Sequence, residues 1–515
     1  MGLARCLGLA LAVLLGMGSG AVRAELPAWA KDGAPKKPLE MALPEAVFLA
    51  VRNNTDIKNA YLDRVTQKFN LEVAEHKFKP DINLDANLVR SGSDTNEDFS
   101  GQPYDTDINT TQGQVTATVT EKIPTGAEFT FTWQYTKTEG DATGSYYSDE
   151  SSTANSWQLA MTQPLLRGAG IDVNMASVRQ ARISEWQNIL GLKATLIGTV
   201  TTVIYNYRAF LESGKQLAIA QRSLKRAREL LEENKALIAA GRMAQSDLVQ
   251  SQSNLANQRI YYQQAINQLE QNRLELLRTL NMNKNTRVLP TEELRLPSVL
   301  PTLDQALALA YANQPAYLQA KLVLDYTKQS LVLAENDQLW DLNLLVNYNY
   351  TDTRGASIGN TTENDWSAGL YMSIPIYGTT RLGRKAGLLQ ARSDLFKAKN
   401  SFRQAEENLN IDVDNALRDL RIKQEQVKLA DLALKLSQEK LTNEQIKLKS
   451  GRSSNFVVVS YQLDLATAEN TKLTAEVEFL NSLTRLDQVI GTALNTWRIA
   501  FKTQRKSAQK KVWGQ

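Results

Sequence analysis

The sequence predicts an elongated, exported chain of mixed α and β structure, assembled from two copies of one unit. Its second half repeats its first in register, and each half alternates two-faced strands with long heptad-patterned helices. Its N-terminus has the form of a secretory signal.

The repeat organises everything else. Residues 45–60, EAVFLAVRNNTDIKNA, align without a gap on 305–320, QALALAYANQPAYLQA, at an offset of 260. Ala46, Leu49, Ala50, Asn53 and Ala60 recur as Ala306, Leu309, Ala310, Asn313 and Ala320. Without a change of register, Ala74-Glu75 recurs as Ala334-Glu335, and Asp81, Asn83, Leu84 and Asn87 recur as Asp341, Asn343, Leu344 and Asn347. Further along, the offset is 210: Arg208 matches Arg418, Gly241-Arg242 matches Gly451-Arg452, and Leu255-Ala256 matches Leu465-Ala466. The first unit, 42–299, therefore carries about fifty residues more than the second, 300–491. They lie between Asn87 and Pro164, because Pro164 already matches Pro375 at offset 211.

Residues 1–24 read as a signal peptide. Arg5 supplies positive charge, residues 6–17 are apolar but short of the ~20 that a spanning helix needs, and Val22-Arg23-Ala24 offers small residues at the cleavage positions before Glu25. Cys6, the only cysteine, falls within this segment, so the mature chain has no thiol, disulfide or cysteine metal site. It precedes the apolar run, which is not a lipoprotein placement. The formal net charge is +4, two of it from Arg5 and Arg23, too weak a field to select nucleic acid. No second apolar run approaches a spanning helix, so a membrane would be crossed by strands. Residues 25–41, rich in Pro, Lys and Ala up to Pro38, read as a linker.

Each unit then reads helix, strands, very long helix, tip, return helix. Residues 42–79 and 303–339 have helical composition and period. Within 81–164 and 341–375 the period switches to two, as in Ile82-Asn83-Leu84-Asp85-Ala86-Asn87-Leu88, in 115–119, in Phe129, Phe131, Trp133 and Tyr135, and in Leu342, Leu344, Val346 and Tyr348. One face of such strands is apolar and the other wettable. A soluble sandwich and a membrane barrel both produce that pattern. Strands of ~9–11 residues and the aromatics Trp133, Tyr135, Trp157, Tyr348, Tyr350 and Trp366 near strand ends fit an interfacial girdle. Segments 91–111 and 137–155, rich in Ser, Thr, Asp, Asn and Gly, read as solvent-facing loops.

The long helices, 172–239 and 381–449, carry unbroken heptads: Ile189, Leu196, Val203, Phe210, Leu217, Leu224, Leu231 and Ile238, then Val413, Leu420, Val427, Leu434, Leu441 and Leu448. Val200, Tyr207, Leu417 and Leu432 widen each seam. Gly241 and Gly451 suit the left-handed position that ends a helix. Tips at 240–246 and 450–455 lead to return helices 247–281 and 456–490. A long helix extends roughly 100 Å, about twice a short one. Two short helices stacked end to end match one long one, giving four antiparallel columns per chain. Such a slab has little core of its own and needs partners on both edges, which a closed oligomeric cylinder supplies.

No nucleotide loop, nucleophile constellation or carboxylate pair stands out, and His76 has no second His or Cys beside it. No catalytic residue, metal ligand or cofactor is expected. Residues 492–515 follow the heptads as a basic tail containing Lys502, Arg505, Lys506, Lys510 and Lys511.

In this order the features resemble the outer-membrane efflux proteins typified by TolC, over essentially the whole mature length. The resemblance rests on the duplicated short helix with Ala312-Asn313-Gln314-Pro315, on TQPLLRGAG (162–170) and SIPIYG (373–378), and on the tips AAGRMAQSDLVQSQSNL and LKSGRSSNFVVVSYQLDL. It implies a trimer with a transmembrane antiparallel β-barrel continuous with an α-helical coiled-coil tunnel through the periplasm. The tunnel's tips would open when a periplasmic adaptor (a membrane fusion protein) and an inner-membrane pump engage. Exported small molecules or proteins would pass, in an efflux or type I secretion system, from a trimer seated in outer-membrane lipid. Such a duct catalyses nothing and takes no cofactor.

Two departures from the family pattern stand out. Its members give two strands per repeat, whereas the extra residues here hold two more strand-like runs, 111–123 and 127–137, around Pro124-Thr125-Gly126; six strands per chain is the reading, an extracellular hairpin the alternative. At the tips, acids that form a charged ring in the family are replaced by Val457 and Ser460, beside Phe456. The gate is expected to use Gly241, Arg242, Ser246, Asp247, Gly451, Arg452, Phe456, Val457 and Ser460, with Asp247 paired to Arg242 or Arg452 and the narrowest ring apolar. An exported coiled-coil scaffold without a channel is the competing reading, but it has no reason to alternate strands and helices twice.

Overall fold

The computed structural model describes residues 39–99, 102–143, 150–292, 300–355 and 359–499. The signal segment, 25–38 of the linker and the basic end of the tail lie outside the described residues.

In chain order the first unit contains β1 (Leu39–Met41), α1 (Leu43–Asn53), α2 (Thr55–Glu75), β2 (Asp81–Phe99), β3 (Gln102–Lys122), β4 (Glu128–Thr143), β5 (Glu150–Pro164), α3 (Ile171–Ala239) and α4 (Ser246–Thr279). After β6 (Val288–Pro290) come α5 (Leu303–Asn313), α6 (Pro315–Asn336), β7 (Asp341–Gly355), β8 (Gly359–Ser373), α7 (Thr379–Lys449), α8 (Asn455–Ile490) and the short α9 (Ala493–Thr496).

Each short helix expected as one piece is two. The Asn54 carboxamide accepts from the Asp56 and Ile57 amides at 2.8 and 3.3 Å, so it starts a new helix and ends the previous one. In the second unit Pro315 lacks the N–H needed to continue α5 and opens α6 instead. The linker and tail also change character at their inner ends. Met41 is buried, β1 pairs in parallel with β6, and Ala493 and Leu494 join the core, because these apolar side chains fill the end of α3's packing surface.

Six strands form one antiparallel sheet in the order β2-β3-β4-β5-β7-β8, with β5 and β7 joining the two units. The six-strand reading matches this sheet, and the inserted pair is β3 and β4. The described residues of segments 91–111 and 137–155 are strand rather than loop. β2 and β3 stay paired to Phe99↔Gln102, and β4 and β5 to Gly140↔Glu150. The alternation fades in the sequence because polar residues dominate there, while the backbone ladder and β-branched threonines still favour strand.

Helices α4, α3, α8 and α7 pack side by side in that order at the end away from the sheet, and α2, α3, α6 and α7 at the nearer end. The heptad residues Leu196, Val203, Phe210, Leu224, Leu231, Val413, Leu420 and Leu441 are buried as expected. Leu432 is not: at 53% exposed it lies outside the α7–α8 seam. One stretch of α3 is apolar and long enough to cross a membrane, contrary to the expectation that none would be. Its apolarity serves the core instead. Leu192, Leu196, Val200, Val203, Ile204 and Tyr207 are buried against α1, the end of α4 and α9, and the Tyr207 hydroxyl donates to the Met41 carbonyl at 2.8 Å.

Arg208 fastens the units together. It is buried and donates to the Leu480 carbonyl at 2.6 Å and the Thr484 hydroxyl at 2.8 Å on α8. Burial lowers its pKa to about 10 and raises those of Glu292 and Asp487 nearby. Gly491 ends α8 at φ 74°, and a Cβ there would lie 2.6 Å from the Asn313 carbonyl oxygen at the α5–α6 junction. Gly491→Ala is expected to cost about 1–2 kcal/mol from backbone strain alone, with more from the clash; chemical unfolding followed by circular dichroism measures it.

Candidate functional site: a two-faced sheet and paired helical tips

Directly paired residues in an antiparallel sheet share a face, so the register assigns both surfaces. One face is apolar across all six strands. Leu84 pairs with Ala117, Ala117 with Trp133, Trp133 with Trp157, Trp157 with Tyr350, and Val346 with Ala368. Phe129, Phe131, Leu159, Leu342, Leu344, Leu370 and Met372 belong to the same face by parity. The other face carries Asn83, Asn87, Thr116, Thr118, Thr130, Thr132, Gln158, Asn343, Asn347 and Ser367. On β7 the apolar face runs from Leu342 to Tyr350, about 26 Å at ~3.3 Å per residue, against the ~25 Å apolar band of membrane barrels.

The six predicted girdle residues lie on one face within three adjacent levels of the sheet. Trp133 pairs with Trp157, Trp157 lies 5.2 Å from Tyr348 and stacks on Tyr350 at 5.6 Å between ring centres, and Tyr348 pairs with Trp366. The Trp133 indole N–H donates to Asn155 at 2.8 Å, and Tyr135 lies one pleat further out, opposite Asn155. Trp366 is 78% exposed, an arrangement that water alone would penalise. Beyond these levels the strands continue as backbone ladders between β2 and β3, β4 and β5, and β7 and β8.

At the other end of the sheet the chain enters and leaves the helices. The Pro124-Thr125-Gly126 turn that closes the inserted pair docks on the start of α3. The Gly170 amide donates to the Thr125 carbonyl at 3.0 Å, and a Cβ on Gly126 would strike the Gly168 carbonyl at 2.3 Å. Asp341 at the foot of β7 takes both Arg167 and, at 2.9 Å, Arg384, joining the two units just below the sheet. Neither cluster was expected from the sequence; the recurrence of Asp81 as Asp341 was the available signal.

At the far ends of α3 and α7, Gly241 and Gly451 adopt φ 69° and 70°, and each tip closes with an amide returning to the helix, Arg242 to Leu237 and Arg452 to Lys447, both at 2.9 Å. Ser246 begins α4. Asp247 makes no ion pair with Arg242 or Arg452 among the described residues, so the expected pairing does not form within the chain; both arginines are exposed. The Asp247 carbonyl instead accepts from Ser251 at 3.2 Å and Asn455 at 3.3 Å. Phe456 is 66% exposed at the start of α8, Val457 and Ser460 are half-buried beside it, and Val458 and Val459 turn inward.

What locks the tips is a buried polar cluster that heptad reading passed over. Asn234 on α3 is fully buried and donates to the Ser251 hydroxyl at 2.6 Å and the Asn455 carboxamide at 2.8 Å, tying α3, α4 and α8 together. In the second unit the same heptad position is Glu444. It too is buried, accepting from Ser453 at 2.6 Å and Lys447 at 2.9 Å, and these donors hold its carboxyl below the usual range. A polar residue three after a core leucine, Leu231 or Leu441, was the signal for both.

Known proteins now give the arrangement its relatives. Residues 306–492 match the family model described as outer membrane efflux protein. The outer-membrane channel OprN superimposes with a TM-score of 0.65 at 16% identity, over 91% of this chain and 96% of its own. The Campylobacter jejuni CmeC outer membrane channel gives 0.66 at 12% identity, over 91% and 89%. The open-state MtrE outer membrane channel of Neisseria gonorrhoeae gives 0.61 at 17%, over 88% and 89%. No curated protein matches the chain by sequence. The chain has the fold of these outer-membrane channels, and its residues 306–492 are similar to the outer membrane efflux protein family.

Proposed function

We propose that this protein is a passive export channel of the Gram-negative outer membrane, working as a homotrimer and reaching into the periplasm. Each of three chains contributes six strands to one barrel, wider than one built from four per chain. Below it, helices from both units of each chain close a coiled-coil tunnel of roughly 100 Å, the length of α3 and α7. A periplasmic adaptor and an inner-membrane pump open the tips, and the pump supplies the energy, so the duct is no enzyme. Small molecules or proteins leave through the polar face of the sheet.

The observation that carries this reading is the sheet. A continuous apolar face about as tall as a bilayer core, capped by a band of aromatics and feeding directly into helices of 69 and 71 residues, suits a membrane duct and leaves a soluble sandwich with its apolar face uncovered. At the tips, exposed Phe456 with Val457 supports an apolar constriction, which stops ions by dewetting rather than by charge. Arg242, Arg452 and Asp247 remain available for contacts between chains.

Membrane fractionation tests the assignment. The protein is expected in the outer membrane as a trimer that dissociates only when heated in detergent. A monomer released with the periplasmic fraction would remove the channel reading.

A further inference from the structure

The internal repeat places Glu444 at a contact that a single chain does not complete. Asn234 and Glu444 stand at equivalent positions, each seven residues before its tip glycine and each buried. Asn234 reaches across the α3–α8 seam to Asn455, the first residue of α8. At offset 210 the equivalent of Asn455 is Gln245, the exposed residue that precedes α4 and whose side chain caps nothing. Yet α7 and α4 lie on opposite edges of the four-helix slab, so Glu444 and Gln245 of one chain cannot meet.

The edges also indicate what covers them. Leu429, Leu432 and Leu436 on α7 are 58%, 53% and 54% exposed, and Ile260 on α4 is 55% exposed. The equivalents of Leu432 and Leu436 are Arg222 and Arg226, which both bind Glu469 across the α3–α8 seam, at 3.2 and 3.4 Å. The equivalent of Glu469 is Arg259, on α4. Pairing α3 with a second copy's α4 would set Arg222 and Arg226 against that Arg259, whereas α7 offers it leucines. Like charges reject the wrong pairing and apolar area favours the other.

We propose that Glu444 is the acid that fastens each chain's tip to the next: α7 packs on α4 of a second copy as α3 packs on α8 within the chain, and the Glu444 carboxylate accepts a hydrogen bond from Gln245 of the partner subunit. Ser453 and Lys447 hold the carboxylate in place for it. This inference rests on the trimer of the proposed function and adds the residue that secures its gate.

Cysteine pairs in the trimer test it, the one native cysteine, Cys6, lying in the segment read as the signal. Glu444→Cys with Gln245→Cys is expected to give covalent dimers and trimers on oxidation, and Asn234→Cys with Asn455→Cys to give only an internally linked monomer. A native trimer in which the second pair closes but the first does not overturns the inference and leaves the channel standing; absence of a native trimer overturns both. Glu444→Ala trimers are expected to conduct about tenfold more or better, the shift from losing one charge-assisted hydrogen bond. Unchanged conductance in an assembled trimer would show that Glu444 fastens nothing.

Discussion

Val346→Arg is expected to prevent the protein from assembling in the outer membrane, while Asn347→Arg, one residue away, is expected to assemble normally and alter only conductance. Val346 lies mid-height on the apolar face, between Met161 and Ala368. Arginine at the lipid-facing midplane costs about 2–4 kcal/mol, so three copies cost roughly 6–12 kcal/mol, comparable with the whole stability of an ordinary domain. Asn347, between Ala160 and Ser367, lies on the polar face, which lines the lumen in the proposed barrel and would keep a guanidinium hydrated. Heat-resistant trimer recovered from outer membranes measures the first effect. Lowered cation conductance of the Asn347→Arg trimer measures the second. Equal assembly of both variants would mean the apolar face does not meet lipid.

Replacing the apolar ring is expected to have the next largest effect. Phe456 and Val457 stand at the start of α8, with Phe456 the more exposed. If they form the narrowest ring, ions are stopped there because water leaves an apolar constriction. Val457→Asp is then expected to raise the conductance of purified trimers roughly tenfold or more, by removing that dewetting barrier, and to introduce block by trivalent cations, which the native trimer is expected not to show. Planar-bilayer recording measures both. Strong trivalent block of the native trimer would place an acidic ring at the constriction instead.

Much of this architecture was legible because it depends on periodicity. Ile189 through Ile238 every seven residues marks a helix seam whatever surrounds it, and Phe129, Phe131, Trp133 and Tyr135 mark one face of a strand. The register of Trp133, Trp157, Tyr350 and Trp366 could not be read locally, but their alternation put them on one face, where the structure has them at neighbouring levels. Where periodicity falls silent, the reading failed. Polar residues made 91–111 and 137–155 look like loops, although the backbone ladder there needs no apolar side chains. Asn54 broke a helix through its side chain, a capping contact that composition hides. Gly241 and Gly451 were legible as tip glycines because positive φ favours that residue. The tip lock was not: Asn234, Ser251 and Asn455 come from three helices far apart in sequence, and only the fold brings their side chains together. Leu432 was assigned to the seam within the chain and instead faces outward, because heptad spacing cannot tell one coiled-coil seam from a second.

Cysteines introduced singly from 342 to 350 along β7, in the trimer, with accessibility read against a bilayer-soluble and a water-soluble quencher, test the membrane assignment most directly. Leu342, Leu344, Val346, Tyr348 and Tyr350 are expected to report lipid, and the positions between them water. Water at both parities would contradict the account.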